Sequence, residues 1–399
     1  MEMPLNTAVN ARARYRVEKP RHLNPLLLFL VVYAAYNLLG LIDTPWIVSG
    51  KYDKTLGWSL FLVGLAGYLT GCAVFGLRGR IVVDQRIKPR TSKQLSVFLL
   101  FIFVCCLAVA VITSHGLPLL MGESRFENSA LASNLAPLYG FWLMVRIISD
   151  REHGRKIGLI QPVIYVVGIL MLGYRSPVLV FVGSYYVYMV VFKLSGRKTV
   201  LVSLLVAALV FGFSATFALV RVAQNYDVGH FFKNVDFRFI AHHAYLLPMA
   251  PALSMFDFSQ NTIATVGQVL HDPMYGELFL SNYATFLPGR HWGARNIIGD
   301  LTGARWIGGR PMSITPTLQG ALYVDFGHVG VFFGFLAAAF VIAKLYTYAA
   351  RRGVLAKFSF CYLMTSMLIA IHSGYWDVSF VFFLFFLFLI RVFDGLKKL

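Results

Sequence analysis

The hydrophobic residues of this chain fall in uninterrupted runs of about the length that crosses a bilayer. A helix needs about 20 apolar residues to span the hydrocarbon core. Lipid offers no hydrogen-bond partners to the backbone, so each run must satisfy its amides within itself, which favours α-helices. The pattern therefore predicts an all-α polytopic integral membrane protein with about ten spans. The predicted spans are residues 25–42, 56–77, 95–114, 132–149, 157–174, 176–193, 199–220, 320–344, 358–374 and 378–394.

The longest interruption of this pattern lies in the second half of the chain and is rich in Arg, Tyr, Trp, Gly, Pro and His. Within it, residues 239–256 are apolar but contain Pro248 and Pro251. We interpret this stretch as an interfacial or re-entrant helix, with a true span as the alternative. The predicted regions are a tail at 1–24, a transmembrane bundle at 25–220, a large external loop with short helices at 221–320, and C-terminal transmembrane helices with a tail at 321–399.

Charge indicates topology rather than a nucleic-acid partner. The chain is 58% hydrophobic and has a formal net charge of +18. It lacks zinc-finger spacing, an RNP-like motif and a basic domain. Lys and Arg in membrane proteins collect in cytoplasmic loops. With both termini inside, most of the 36 Lys and Arg residues fall in cytoplasmic segments, which places the long loop outside.

The long loop carries a cluster of positive and aromatic side chains. Arg matches phosphate oxygens with two parallel hydrogen bonds, which Lys cannot make. Glycines around the cluster leave backbone amides room to approach an anion, and tryptophan rings offer flat faces for sugars. The alternative is a solvated loop whose arginines pair with lipid headgroups. The cluster comprises Arg290, Arg295, Arg305, Arg310, Trp292 and Trp306.

Three further arginines, Arg125, Arg175 and Arg221, lie at predicted outer helix ends. A charge near bilayer depth is costly, so it marks either a functional position or a snorkelling anchor. For Arg175 and Arg221 we favour function, because positive charge is the minority species on this face. Arg125 has Glu123 and Glu127 beside it, so an ion pair explains it equally well.

Asp325 and His328 are the candidate catalytic residues near the start of the eighth predicted span. They lie three positions apart, which would place them on one face of a helix. Such a pair could accept a proton from an attacking hydroxyl, although a hydrogen bond at a helix end is at least as good an interpretation. His372, Tyr375 and Asp377 form a similar group before the last span, for which we favour a structural role.

Metal and nucleotide motifs are absent from the sequence. It contains no Walker A glycine loop, no HExxH and no paired DxD. The predicted outer face has no carboxylate cluster that would supply hard oxygen ligands to Mg²⁺ or Mn²⁺. We therefore predict no metal and no cofactor.

Three short motifs resemble those of the oligosaccharide repeat-unit polymerases of the Wzy family, which make O-antigen. They are GLPLLMGESRFEN at 116–128, the turn that contains Gly173, Arg175 and Ser176, and TPTLQGALYVDFGHVG at 315–330. The resemblance is clearest between residues 100 and 330. By matching motif, Arg125 and Arg175 carry over as functional candidates.

The resemblance implies a membrane glycosyltransferase of GT-C-like architecture in the bacterial inner membrane. Such enzymes transfer a growing glycan from undecaprenyl diphosphate onto the next lipid-linked repeat unit. The implied partners are these lipid-linked oligosaccharides, membrane lipid, a flippase and a chain-length regulator. Two alternatives stay open, an O-antigen ligase and a lipid or glycan transporter. A transporter would place polar residues through several spans.

Overall fold

The protein is described from a computed structural model. The structure describes residues 23–41, 53–76, 93–116, 118, 134–174, 176–209, 212, 250–285, 292–304, 311, 313–375 and 379–395.

The regular secondary structure of these residues is helical. The helices are α1 (Pro25–Leu41), α2 (Thr55–Phe75), α3 (Lys93–Thr113), α4 (Pro137–Glu152), α5 (Ile160–Met171), α6 (Ser176–Tyr188, continued by a π-helical turn at Met189–Lys193), α7 (Ala250–Val269), α8 (Glu277–Ala284), α9 (Ala294–Leu301), α10 (Thr317–Arg351), α11 (Val354–Ser373) and α12 (Ser379–Gly395). A further helical stretch covers 197–209.

Five of the described helices are long and apolar enough to cross a membrane. They are α2, α3, α6 with its π-helical turn, α10 and α11. The helices α1, α5 and α12 are apolar but shorter. An all-α membrane protein is thereby confirmed, whereas the count of about ten spans and the GT-C-like architecture stay predictions.

The first half of the bundle is built from α1, α2 and α10, which meet through rings and glycines. Tyr33 of α1 lies with its ring centroid 4.5 Å from that of Phe335 of α10. A Cβ on Gly64 would come within 2.5 Å of the Tyr33 hydroxyl, and one on Gly67 would overlap the backbone oxygen of Phe332. Small residues let membrane helices approach this closely. This half is therefore closed by direct helix contact.

The second half contains α4, α5, α6, α11 and α12, and its interior is aromatic. The ring of Phe141 on α4 lies 5.0 Å from that of Tyr362 on α11, which stacks at 4.1 Å on Phe383 of α12. A partly buried ion cluster closes one end: Glu152 accepts from Lys193 and Lys357, both at 3.0 Å. These contacts fix α4, α6 and α11 together at the predicted cytoplasmic end.

The described part of the predicted external loop packs against the bundle. Its longest helix, α7, has 20 residues and contacts α1 and α2, while α8 and α9 have eight residues each. Of the stretch 239–256, residues 239–249 lie outside the described residues and the rest begins α7. A second apolar cluster ties α7, α8 and α9 to the start of α10; its buried members are Val266, Leu278, Ala294, Ile298, Ile314, Ala321 and Val324.

Candidate active site

A cavity of about 280 Å³ lies within the second half of the bundle. Its walls come from α4, α5, α6, α11 and α12, and α9 contributes Arg295. Along α11 the lining runs from Phe358 to Ser373, which at 1.5 Å per residue is about 22 Å. That is most of the roughly 30 Å hydrocarbon thickness. The cavity is thus long and narrow, and follows the helix axes.

The two ends of this cavity differ in polarity. One end is lined by aromatic and apolar side chains, among them Phe141, Met144 and Phe358. At the other end, where α9 covers the bundle, the lining is rich in hydroxyl groups and includes a guanidinium. The polar lining residues there are Tyr174, Ser176, Arg295, Ser373, Tyr375 and Ser379. An amphipathic ligand would match this gradient, with its charged part beside Arg295.

Ser184 marks the middle of the cavity as a place for a polar ligand. Its side chain is on α6, lines the cavity, and the residue is 2% exposed. The hydroxyl oxygen has no hydrogen-bond partner among the described residues. A buried hydroxyl without a partner costs about 1–3 kcal/mol, so the site fits a water or a ligand oxygen at this point.

Tyr375 connects the cavity to the loop helices. Its hydroxyl donates to the backbone oxygen of Ala321 at 3.1 Å, and its ring meets that of Phe279 on α8 edge-on at 5.3 Å. Burial, followed by the neighbouring carboxylate of Asp325, raises the pKa of Tyr375. The phenol therefore stays protonated and serves as a hydrogen-bond donor at neutral pH.

Asp325 holds the N-terminus of α8. The residue is 0% exposed, and its two carboxylate oxygens accept from the backbone N–H groups of Leu278 at 2.9 Å and Phe279 at 3.0 Å. A carboxylate in this position satisfies orphan amides and complements the helix dipole. Asp325 is thus the link between α10 and the loop helices.

The expectation that Asp325 and His328 share one uninterrupted helical face is wrong. α10 breaks between them at Gly327, which has φ 64° and ψ −161°. A glycine tolerates this conformation because it has no Cβ. Beyond the break, His328 is exposed and its Nε2 lies 3.0 Å from Ser59 Oγ on α2. The two side chains therefore serve different neighbours, and neither lines the cavity.

The other predicted site residues separate in the structure. Arg295 reaches the cavity, whereas Trp292 lines a different groove between α8 and α9. The remaining candidates lie outside the described residues. One of them is Arg175, whose chain neighbours Tyr174 and Ser176 both line the cavity. The candidates outside the described residues are Arg125, Arg175, Arg221, Arg290, Arg305, Arg310 and Trp306.

Two buried polar networks between helices were missed at the sequence level. In the first, the Tyr33 hydroxyl donates to Gln319 Oε1 at 2.7 Å. Asn37 donates through Nδ2 to the Tyr33 backbone oxygen at 2.9 Å and accepts from Gln260 Nε2 at 3.1 Å. The signal that could have found this network is neutral polar residues within or beside apolar runs, such as Asn37 and Gln319.

The second network joins the two halves of the bundle. The Tyr36 hydroxyl on α1 donates to Ser259 Oγ on α7 at 2.9 Å and lies 2.7 Å from His372 Nδ1 on α11. A phenol has one proton, so when it serves Ser259, His372 must donate through Nδ1. His372 follows directly on the α11 face that lines the cavity, since Ile369 and Ser373 belong to the lining.

A metal site does not emerge from the described residues. Among them, no group of three or more His, Cys, Asp or Glu side chains could hold a metal ion.

Comparisons with known proteins agree with the motif resemblance. The family model of O-antigen polymerases matches residues 22–385. An uncharacterized protein of Methanocaldococcus jannaschii is 24% identical over 328 residues, which are 80% of this chain and 82% of that protein. No solved structure matches the chain. The match to the family model covers nearly the whole chain, the cavity and the loop helices included, and on that evidence the chain belongs to the O-antigen polymerase family.

Proposed function

We propose that this protein joins undecaprenyl-diphosphate-linked oligosaccharide repeat units into a bacterial surface polysaccharide, and that its cavity binds the lipid-linked donor. Family membership supports the reaction class. The observation that carries the assignment to this site is the polarity of one long cavity, apolar at Phe358 and cationic at Arg295. A prenyl diphosphate sugar has the same order of parts: hydrocarbon, dianion and glycan.

The proposed step transfers the growing glycan to an acceptor hydroxyl. The bond between the anomeric carbon and the diphosphate oxygen breaks, and a new bond forms from that carbon to the acceptor oxygen. The acceptor hydroxyl loses its proton, and the lipid diphosphate leaves with the bonding electron pair. Charge grows on the leaving oxygen, so a pre-placed guanidinium stabilises the transition state more than the ground state. Arg295 would supply this charge without a metal.

Arg175 is the second residue that we propose for the diphosphate. Its chain neighbours Tyr174 and Ser176 line the polar end of the cavity, and it belongs to the Gly173–Ser176 turn that resembles a motif of these polymerases. The other arginines and Trp306 retain substrate binding as a proposed role. They are Arg125, Arg221, Arg290, Arg305 and Arg310.

The acceptor proton needs a base, and the two candidates are unequal. Both oxygens of Asp325 are engaged by the α8 amides, so taking a proton would weaken the hold on that helix. We propose that Asp325 is a positioning residue. His328 stays a proposed proton acceptor. Because it bonds Ser59 on α2 and does not line the cavity, this role requires the acceptor hydroxyl to reach His328 outside the cavity.

The cellular setting proposed here is the bacterial inner membrane, with both termini in the cytoplasm and the long loop outside. The lipid-linked units would then arrive through a flippase, and a chain-length regulator would set polymer size. A reporter fused after Gly289 should be active only outside the cytoplasm. Cytoplasmic activity of that fusion would overturn the arrangement.

The test of the proposed function is polymerisation by the purified protein. Undecaprenyl-diphosphate-linked repeat units are supplied in detergent with EDTA, and a ladder of polymer is expected. Losing one charge-assisted hydrogen bond costs ~1.5–3 kcal/mol, which is about 10- to 100-fold in rate. Arg295→Lys should therefore slow elongation at least tenfold, while the control Arg352→Lys, whose guanidinium lies over the Tyr348 ring, should not.

Other products would point elsewhere. Transfer of glycan only to a lipid A core acceptor would identify a ligase. Absence of any new glycosidic bond, together with movement of the lipid-linked unit across a vesicle membrane, would identify a transporter. Loss of the ladder in EDTA, restored by a divalent ion, would overturn the metal-independent step.

A further inference from the structure

A second concave site lies between α8 and α9. It is an open groove of about 760 Å³ that shares no lining residue with the cavity. Its character is set by two aromatic rings, two carboxylates and an apolar floor. The residues that define it are Tyr275, Glu277, Leu280, Trp292, Ile297 and Asp300.

The aromatic rings of this groove are held in the open. Tyr275 is 80% exposed and Trp292 is 51% exposed. Large apolar surfaces that remain in water mark interaction sites more often than isolated small ones do. Aromatic rings are rigid and have flat apolar faces with a polar atom at one edge. Such faces suit the flat C–H face of a pyranose ring.

The backbone is strained in order to present Tyr275. This residue has φ 50°, a left-handed conformation that side chains other than glycine rarely adopt. The chain is held there by two backbone hydrogen bonds to the end of the first part of α10. Met274 N–H donates to the Val324 oxygen and Tyr275 N–H to the Asp325 oxygen, both at 2.8 Å. Strain that the surroundings enforce in this way clusters at binding and catalytic sites.

Both walls of the groove are fixed in place. α8 is anchored by the Asp325 carboxylate at its N-terminus. α9 is anchored by the Ala294 N–H, which donates to Asn282 Oδ1 of α8 at 3.0 Å, and by the Ile314 N–H, which donates to the Arg295 oxygen at 3.0 Å. The groove is therefore pre-formed, which lowers the entropic cost of binding.

Charge selects the kind of ligand. The carboxylates of Glu277 and Asp300 line the groove, although the chain as a whole carries +18. Carboxylates accept hydrogen bonds from hydroxyl groups and repel phosphate. We propose that this groove is a binding subsite for an uncharged oligosaccharide, which it holds between the Tyr275 and Trp292 rings and the two carboxylates. The identity of this ligand as a polymerase substrate rests on the proposed function.

The groove and the cavity both adjoin α8 and α9 and would bind different parts of the substrate. α9 presents Arg295 to the cavity and Asp300 to the groove, and α8 places Phe279 against Tyr375 of the cavity wall while Leu280 lines the groove. Among the described residues, this pair of short helices thus separates a cavity lined by a guanidinium from a groove lined by two carboxylates. The diphosphate would bind on one side, and sugar rings remote from it on the other.

Binding is tested directly with a lipid-free sugar. The probe is the lipid-free oligosaccharide that mild acid releases from the host's own lipid-diphosphate-linked repeat unit, titrated against purified protein by saturation-transfer NMR. Trp292→Ala, Tyr275→Ala and Asp300→Asn should each weaken binding at least fivefold. Tyr348→Ala is the matched control, since this exposed aromatic lies near the far end of α10. It should change binding less than twofold.

Several outcomes overturn the proposal. They are no detectable binding of the sugar, unchanged affinity in all three groove variants, an equal loss in Tyr348→Ala, or competition by inorganic diphosphate that the groove variants abolish. If the sugar binds as expected but no polymer forms, the proposed function fails while the subsite stands. If polymer forms without sugar binding in the groove, the reverse holds.

Product length and KM distinguish whether the groove binds the growing chain or the incoming repeat unit. If the groove holds the growing chain, Trp292→Ala should shorten the product at least twofold while the first coupling keeps its rate. If it holds the incoming repeat unit, the KM for that unit should rise at least fivefold with kcat preserved. Wild-type values of product length and KM together would overturn the role of the groove in polymerisation.

Discussion

The two halves of the bundle differ in whether their small residues border open space. In the half made of α1, α2 and α10, glycine positions are filled by a neighbouring helix, as Gly67 is by the backbone of Phe332. In the half made of α4, α5, α6, α11 and α12, glycines such as Gly183 also meet a neighbouring helix, but the serines Ser184, Ser366 and Ser373 line a cavity. Small residues therefore close helix contacts in both regions, and in the second region some of them also border open space. The second half is where an amphipathic substrate has room.

The largest effect should come from a bulky substitution at a glycine in the half made of α1, α2 and α10. Gly67→Leu would drive a side chain into the α10 backbone, and overpacking of this kind costs about 1–3 kcal/mol or more. We expect loss of monodisperse protein in detergent size-exclusion chromatography. Ser184→Leu should leave the elution profile and melting temperature near wild type, because its side chain faces the cavity, while polymerisation falls at least tenfold. Equal tolerance of both changes would contradict the contrast between the halves.

Asp325 bears on the same comparison, because it anchors α8, whose Phe279 ring packs against Tyr375 of the cavity wall. Asp325→Ala leaves two buried amides without their acceptor, and we expect a loss of ~2–3 kcal/mol in unfolding free energy. Asp325→Asn keeps one acceptor oxygen and should recover part of both stability and activity. A catalytic base would behave differently: the Asn variant would keep its thermal stability and lose nearly all turnover. Melting temperature and initial rate measured on the same samples separate these cases.

Glu152 closes the end of the second half away from Arg295, and its effect should depend on pH. Burial alone would raise the pKa of Glu152, but the charge of Lys357 and hydrogen bonds from Tyr188, Lys193 and Lys357 outweigh it and lower the pKa. A lowered pKa contributes stability above the unfolded value, near 4.3, and that stability is lost as pH falls through the folded value.

We therefore expect the wild-type melting temperature to fall as the pH drops below about 4.3. Glu152→Gln should be less stable at pH 7 by about 2 kcal/mol, since it leaves two lysines without their carboxylate. It should also lose part of the acid dependence. Parallel pH curves for wild type and variant would contradict the assigned role of this cluster.

The smallest expected effect concerns the contact that joins the two halves. Tyr36→Phe removes the hydroxyl that bonds Ser259 and His372, and a lost hydrogen bond of this kind costs about 1 kcal/mol. Thermal unfolding should register this decrease. Phe29→Leu, a change in the nearby apolar core that keeps all hydrogen bonds, serves as a control for packing. If Tyr36→Phe lowers polymerisation far more than stability, the network takes part in turnover.

Much of the fold was readable from the sequence, because spans follow from local rules. Apolar runs predicted helices at nearly the observed places, as in 378–394 against α12 (Ser379–Gly395). The site was only partly readable. Arg295 was selected by charge and does reach the cavity. Ser184 and Tyr36 gave no comparable signal, since a hydroxyl in an apolar run can be either satisfied or functional. His372 was named as a candidate with a structural role favoured, but its bond to Tyr36 on a distant helix could not be predicted from spacing.

The membrane class, the motif resemblance and the excess of positive charge could be read without a structure, since they depend on residue type and local spacing. Which polar groups meet followed from the folded arrangement of the helices. At the break at Gly327, Asp325 bonds to α8 and His328 bonds to Ser59. Arg295 lines the cavity, whereas Trp292, three residues earlier, lines the groove. The physical reason is that burial and pairing depend on contacts between residues far apart in the chain, as with Tyr33 and Gln319, and no local pattern encodes such contacts.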